Sequence, residues 1–215
     1  MRQHFDLEAP TLVAHSWGAV LALEYALRYP TRVSRLILMN PAPASSADAA
    51  LLRKAYTARR GGDMERQRAI VADQAYQQGD PESVAKWYRI HFAHAVATRE
   101  HYDLLMRTMR AAFMAQGPVG ILKARAVENR LMEDTWQQPA YDLMSRIVSL
   151  RIPALVVWGN RDFIPRPIAE QLSGALPQGR MVTIEGCGHF VYMECHAAVR
   201  MALLDFARRP PVARR

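Results

Sequence analysis

Leu12-Val13-Ala14-His15-Ser16-Trp17-Gly18 decides how the rest of the chain is read. A short apolar run leads into small-x-Ser-x-Gly, then into a helical pattern, Ala19-Val20-Leu21-Ala22-Leu23-Glu24-Tyr25-Ala26-Leu27-Arg28-Tyr29. Strand, sharp turn and helix in that order are the setting of a nucleophile elbow, where a serine on a strained turn projects its hydroxyl from the end of a sheet. Small residues two positions before and after the serine let strand and helix approach closely. Ala14 stands where glycine is usual and keeps that position small. The helix N-terminus aims backbone N–H groups at the serine, so the N–H of Trp17 is the expected donor to an oxyanion formed there.

The flanking sequence alternates between strand and helix patterns. Pro30 ends the helix expected over 17–29. Arg35-Leu36-Ile37-Leu38-Met39 is the continuous run of a parallel strand buried on both faces, and Asn40-Pro41-Ala42-Pro43 breaks it. From about 45 to 148 the pattern is helical, punctuated by Gly61-Gly62-Asp63, Gly79-Asp80-Pro81 and Gln116-Gly117-Pro118. Five or six amphipathic helices fit between these breaks, without strand-type runs. The buried-strand pattern returns at Ile152-Pro153-Ala154-Leu155-Val156-Val157-Trp158-Gly159. A helix over 166–176, a strand over Arg180-Met181-Val182-Thr183-Ile184, a glycine-rich loop and a helix over 190–207 complete the chain.

Strands separated by helices predict an α/β fold with right-handed crossovers. The expectation is a parallel sheet of about four strands, with flanking helices and an inserted helical cap. Residues 1–44 form the first part of the core, 45–148 the cap, 149–207 the second part of the core, and 208–215 a basic tail.

Composition narrows the function classes. Half of the 215 residues are apolar and 22% are charged, the balance of a globular chain. No run approaches the ~18 apolar residues of a membrane span. The opening MRQHFDLEAP holds no apolar signal core, so a cytoplasmic setting and no membrane partner are expected. The formal charge is +8, and Arg208, Arg209, Arg214 and Arg215 supply half of it. Without interleaved aromatics or a binding-fold signature, this tail reads as solvated, and no nucleic-acid partner is expected. Cys187 and Cys195 lack the small-x-Cys-x-Gly context of a nucleophile and read as buried or half-buried thiols.

Three polar residues fall at strand ends: Ser16 after the first strand, Asp162 in Gly159-Asn160-Arg161-Asp162 after the third, and His189 in Gly186-Cys187-Gly188-His189-Phe190 after the fourth. Ligand sites of open parallel sheets lie at those ends. A serine hydroxyl is a poor nucleophile until a base takes its proton. Imidazole, with an unperturbed pKa of ~6.5, is neutral enough at cellular pH to do so. A carboxylate holds the imidazole tautomer and stabilises the imidazolium. Ser16, His189 and Asp162 are therefore the candidate nucleophile, base and orienting acid. His15 is not expected to be the base, and its side chain is expected to point away from Ser16. His91, His94 and His101 have helix-face spacing but no completing ligand set, so no metal site and no cofactor are expected. Trp87, Tyr88, Phe92, Tyr102, Phe113 and Trp136 are expected to pack the cap and in part to line a pocket.

With those residues in view, the chain resembles the α/β-hydrolases, and among them the proline iminopeptidase-type branch. The resemblance is carried by Ala14-His15-Ser16-Trp17-Gly18, by Tyr25-Ala26-Leu27-Arg28-Tyr29-Pro30-Thr31-Arg32-Val33-Ser34-Arg35-Leu36, by Val157-Trp158-Gly159-Asn160-Arg161-Asp162 and by the loop of His189. It covers about 1–45 and 150–207. It implies a serine hydrolase working through an acyl-enzyme on a small amide or ester, including removal of an N-terminal residue from a short peptide.

Two departures from the family pattern matter. Family members carry about four strands before the elbow strand, and a His-Gly-Gly type loop there supplies a second oxyanion donor. This chain has no His-Gly dipeptide and so resembles a truncated member. An impaired remnant or binding module is the alternative reading. Self-association through the edge of the first strand is the expected consequence of an unpaired strand. Peptidases of the branch hold the substrate's amino terminus with cap glutamates, one in a Trp-Glu phrase that is absent here. Glu128 and Glu133, near Trp136, are the candidate substitutes.

Overall fold

The computed structural model describes residues 3–60 and 62–208. The expected tail therefore lies, apart from Arg208, outside the described residues. Four strands form one parallel sheet in the order β1 (Thr11–His15), β2 (Arg35–Met39), β3 (Ala154–Gly159), β4 (Gly179–Ile184). The register runs Thr11↔Arg35 to His15↔Met39, Leu36↔Ala154 to Met39↔Val157, and Ala154↔Gly179 to Gly159↔Ile184. The carboxyl ends thus lie side by side.

Helices cover both faces. On one face α1 (Trp17–Arg28), α7 (Met144–Ile147) and α8 (Arg166–Ala175) bury Val20, Leu23, Ile147 and Leu172 against Leu36, Leu38, Val156 and Trp158. On the other, α9 (Val191–Glu194) and α10 (His196–Arg208) bring Val191, Val199 and Phe206 onto Ile37, Met39, Leu155 and Val157. Strand residues alternate between the two clusters, which is why β2 and β3 read as unbroken apolar runs. β1 has a neighbour on one side only among the described residues. Its Val13 points to the second face and is 54% exposed.

Between β2 and β3 lies a helical insertion: α2 (Ser46–Arg60), α3 (Asp63–Ala72), α4 (Gln74–Gln77), α5 (Pro81–His91) and α6 (Arg99–Asp134), followed by α7. The punctuation read from sequence appears as physical breaks. Asp80 caps α5, accepting the N–H of Ser83 at 2.8 Å, with Pro81 at the first helical position. Gln116-Gly117-Pro118 likewise breaks α6 into two helical stretches that meet at a kink. Gly117 has φ 62°, and Pro118 follows it inside the helix.

The two cysteines depart from expectation. Cys187 and Cys195 are joined as a disulfide and are not free thiols. The chain doubles back through α9, bringing their Cα atoms to 6.3 Å, a bridging distance that spacing in the sequence cannot reveal.

Candidate active site

Ser16 sits between β1 and α1 at φ 52°, ψ −123°, a strained conformation for a residue with a side chain. The turn is braced on both sides. The N–H of Ser16 donates to the Met39 carbonyl at 3.0 Å, and its own carbonyl accepts from Ala19 and Ala42 at 3.0 and 3.1 Å. A Cβ on Gly18 would lie 3.8 Å from that of Ala14, so strand and helix meet at ordinary contact distance through two small residues. Trp17 is the first residue of α1, where a backbone N–H has no intrahelical acceptor and faces outward from the helix end.

Asp162 and His189 lie across the sheet ends from Ser16, and both are buried, at 3% and 2% exposure. His189 Nδ1 donates to Asp162 Oδ1 at 3.0 Å, with Oδ2 at 3.2 Å. The carboxylate also accepts the N–H of Ile164 at 3.0 Å and Nδ2 of Asn40 at 2.5 Å. Three donors converge on one carboxylate, so it has little rotational freedom. With Nδ1 protonated, Nε2 of His189 is the free acceptor. The loop of His189 closes over the end of β3 because residue 159 is glycine. A Cβ there would stand 2.4 Å from the carbonyl oxygens of both Cys187 and Gly188.

Ser16, Trp17 and His189 open onto one cavity of about 530 Å3, roofed by the helical insertion. Its walls are mainly apolar and aromatic, as small-molecule sites are. Trp136 lines it, packs on Trp17 with ring centroids 4.8 Å apart, and donates its indole N–H to the Pro43 carbonyl at 2.9 Å. Trp87, Tyr88 and Phe92 also reach the cavity. Tyr102 does not line it, and its hydroxyl donates to the Arg89 carbonyl at 2.8 Å.

The two glutamates separate. Glu128 lines the cavity, where burial raises its carboxyl above the usual range despite the nearby Arg125. Glu133 lies outside, half-exposed, with Arg130 at 3.8 Å. Five residues on a helix turn through about 140° net, so the two cannot share a face.

His15 packs beside the candidate base. It lines the same cavity as Ser16, and its ring lies 4.7 Å from that of His189. Its Nε2 donates to the His189 carbonyl at 2.9 Å. Burial, and then the neighbouring His189, lowers its pKa to about 4, so it stands neutral beside the candidate base. His91, His94 and His101 diverge. His91 Nδ1 meets the Tyr56 hydroxyl at 2.7 Å in the cavity wall, and burial lowers its pKa to about 3. His94 lies 3.8 Å from Asp63, and His101 pairs with Thr98. Among the described residues no three metal-ligating side chains converge.

Asn40 is the site residue that sequence reading passes over, and the contacts of His15 and His91 with the cavity carry no signal in the sequence. Asn40 had a usable signal, since a polar residue at the carboxyl end of a buried parallel strand lies where ligand sites form.

The chain belongs to the α/β-hydrolase superfamily: the family described as alpha/beta hydrolase fold matches residues 1–194. It is similar to the AB hydrolase superfamily protein YclE of Bacillus subtilis (strain 168), 25% identical over 196 residues, covering 90% of this chain and 66% of that protein. It is also similar to a proline iminopeptidase of Lactobacillus helveticus, 23% identical over 197 residues, covering 90% of this chain and 64% of the relative. Among solved structures, 2-hydroxy-6-oxo-6-phenylhexa-2,4-dienoate hydrolase from Rhodococcus sp. strain RHA1 shares the fold, with a TM-score of 0.66 and 17% identity. That match covers 97% of this chain and 67% of that one. The chain spans about two thirds of the length of the curated relatives it matches. No helix among the described residues is long and apolar enough to cross a membrane.

Proposed function

We propose that this chain carries the catalytic apparatus of a serine hydrolase that cleaves a small amide or ester through an acyl-enzyme. The observation that carries the reading is the buried His189–Asp162 pair, bonded at 3.0 Å, opening with strained Ser16 onto one aromatic cavity. In this reading Ser16 Oγ attacks the substrate carbonyl as His189 Nε2 takes its proton. Asp162 holds the ring and stabilises the imidazolium. The N–H of Trp17 donates to the developing oxyanion. His189 then returns the proton to the leaving amine or alcohol, and water, activated by the same base, releases the acid. Residues 45–148 act as a cap that shapes the cavity and gates access. The setting proposed is cytoplasmic.

Glu128 gives the substrate reading its finer form. Among the described residues it is the one carboxylate lining a mainly apolar cavity that also holds Trp136 and Arg53, and in this reading it meets a substrate's free ammonium group. The similarity to a proline iminopeptidase points the same way. An amine bound there would pull the carboxyl back toward ionisation, because an opposite charge favours the charged form.

A panel of prolyl and non-prolyl aminoacyl amides, set beside neutral esters of equal size, tests this. Glu128→Gln is expected to raise KM for substrates with a free amino terminus by about tenfold or more, a lost charge-assisted bond being worth about 1.5–3 kcal/mol. Neutral esters should be hydrolysed as before. Equal loss on both substrate sets would remove Glu128 from substrate recognition.

A further inference from the structure

The peptide unit of His189 is gripped from both sides by distant parts of the chain. Its N–H donates to the Ala95 carbonyl at 2.6 Å, and its carbonyl accepts from His15 Nε2 at 2.9 Å. Ala95 lies in the segment joining α5 to α6, within the helical insertion, and is fully buried. The two segments touch closely. A Cβ on Gly188 would stand 2.4 Å from the Ala95 carbonyl oxygen and 2.9 Å from the Cα of Val96. One side chain spans this seam. Glu194, the last residue of α9, accepts the N–H of Gly188 on Oε1 at 3.0 Å and the N–H of Ala97 on Oε2 at 2.6 Å. A single carboxylate thus ties the loop of the candidate base to the insertion, using both oxygens.

We infer that Glu194 is a positioning residue: its carboxylate clasps residues 95–97 of the cap to the His189 loop, so the base is seated only while that cap segment is docked. The inference rests on the hydrolase reading of Ser16, His189 and Asp162. Both bonds have a charged acceptor, and such bonds are roughly twice as strong as neutral ones. Without them, the Gly188 and Ala97 N–H groups lose their shared acceptor, and the His189 backbone keeps to the cap segment only its N–H bond to Ala95, while the imidazole stays bonded to Asp162. The ring can then shift relative to Ser16. A misplacement of about 1 Å costs on the order of 100-fold in rate and leaves ground-state binding largely intact. The loss belongs in kcat, not in KM.

The test compares the full chain with Glu194→Ala and Glu194→Gln, using p-nitrophenyl butyrate as substrate, thermal melting, and amide hydrogen exchange at Gly188 and Ala97. Glu194→Ala is expected to lower kcat by about 10- to 100-fold with KM within about twofold. Both amides should exchange faster together, in a protein still folded at the assay temperature. Glu194→Gln keeps one carbonyl oxygen for one of the two amides and should recover part of kcat and protect one amide again. An unchanged kcat in folded Glu194→Ala, or unchanged exchange at Gly188 and Ala97, would overturn the clasp. If Glu194→Ala does not fold, Glu194→Gln alone decides, by whether one of the two amides loses protection and kcat falls. A wild-type chain that hydrolyses nothing would refute the hydrolase reading, and the exchange measurement would still judge the clasp.

Discussion

Replacing His189 by alanine is expected to lower kcat for ester hydrolysis by roughly 10⁴- to 10⁶-fold, with KM changed by only a few-fold, because the parts of a triad act as one unit. His189 presents the free ring nitrogen that must take the Ser16 proton, and no other histidine of the cavity can replace it. His15 commits its Nε2 to the His189 carbonyl. His91 commits Nδ1 to the Tyr56 hydroxyl. Burial also holds the pKa of His15 at about 4 and of His91 at about 3, too low for an effective base at neutral pH. Steady-state kinetics with circular dichroism of the variant checks this. A folded His189→Ala chain within tenfold of wild-type would assign the base elsewhere.

Asp162→Asn is expected to cost about 10⁴-fold in kcat with the fold intact, through the tautomer of the ring. Asp162 accepts from His189, Ile164 and Asn40 at once. An asparagine has one acceptor oxygen for these three donors. Ile164 and His189 share Oδ1 while Asn40 holds Oδ2, so an asparagine whose oxygen stays with Asn40 turns its amide N–H₂ toward His189 Nδ1 and favours the tautomer with the proton on Nε2, where it cannot receive one from Ser16. Asn40→Leu leaves the acid in place and removes one of its three donors, so its effect on kcat should be far smaller. Activity in Asp162→Asn within tenfold of wild-type, measured by steady-state kinetics on the same ester, would exclude the carboxylate from the mechanism.

Strand β2 could be read to the residue because it is a continuous apolar run with a proline signal just past its end. Both faces of β2 are buried, so nothing in its pattern competes with the strand reading. That Ser16, Asp162 and His189 follow β1, β3 and β4 was legible for a related reason: strand ends are visible in sequence.

What the sequence hid depends on long-range closure. Asn40 meets Asp162 across 122 positions, Glu194 meets Ala97 across 97, and His15 meets the His189 carbonyl across 174. None of these pairs has a local signature, since each exists only once the crossovers set the strand order. Glu128 and Glu133 show the same limit within one helix, where the facing of α6 toward the cavity, not the residue type, separates them. The disulfide needed the reversal through α9.

Covalent capture of Ser16 tests the central claim most directly. The full chain, incubated with a fluorophosphonate probe and digested for mass spectrometry, should carry the phosphonyl group on Ser16. Labelling should vanish in Ser16→Ala and fall sharply in His189→Ala. A folded chain that takes up no probe, or carries it on another residue, would contradict the account.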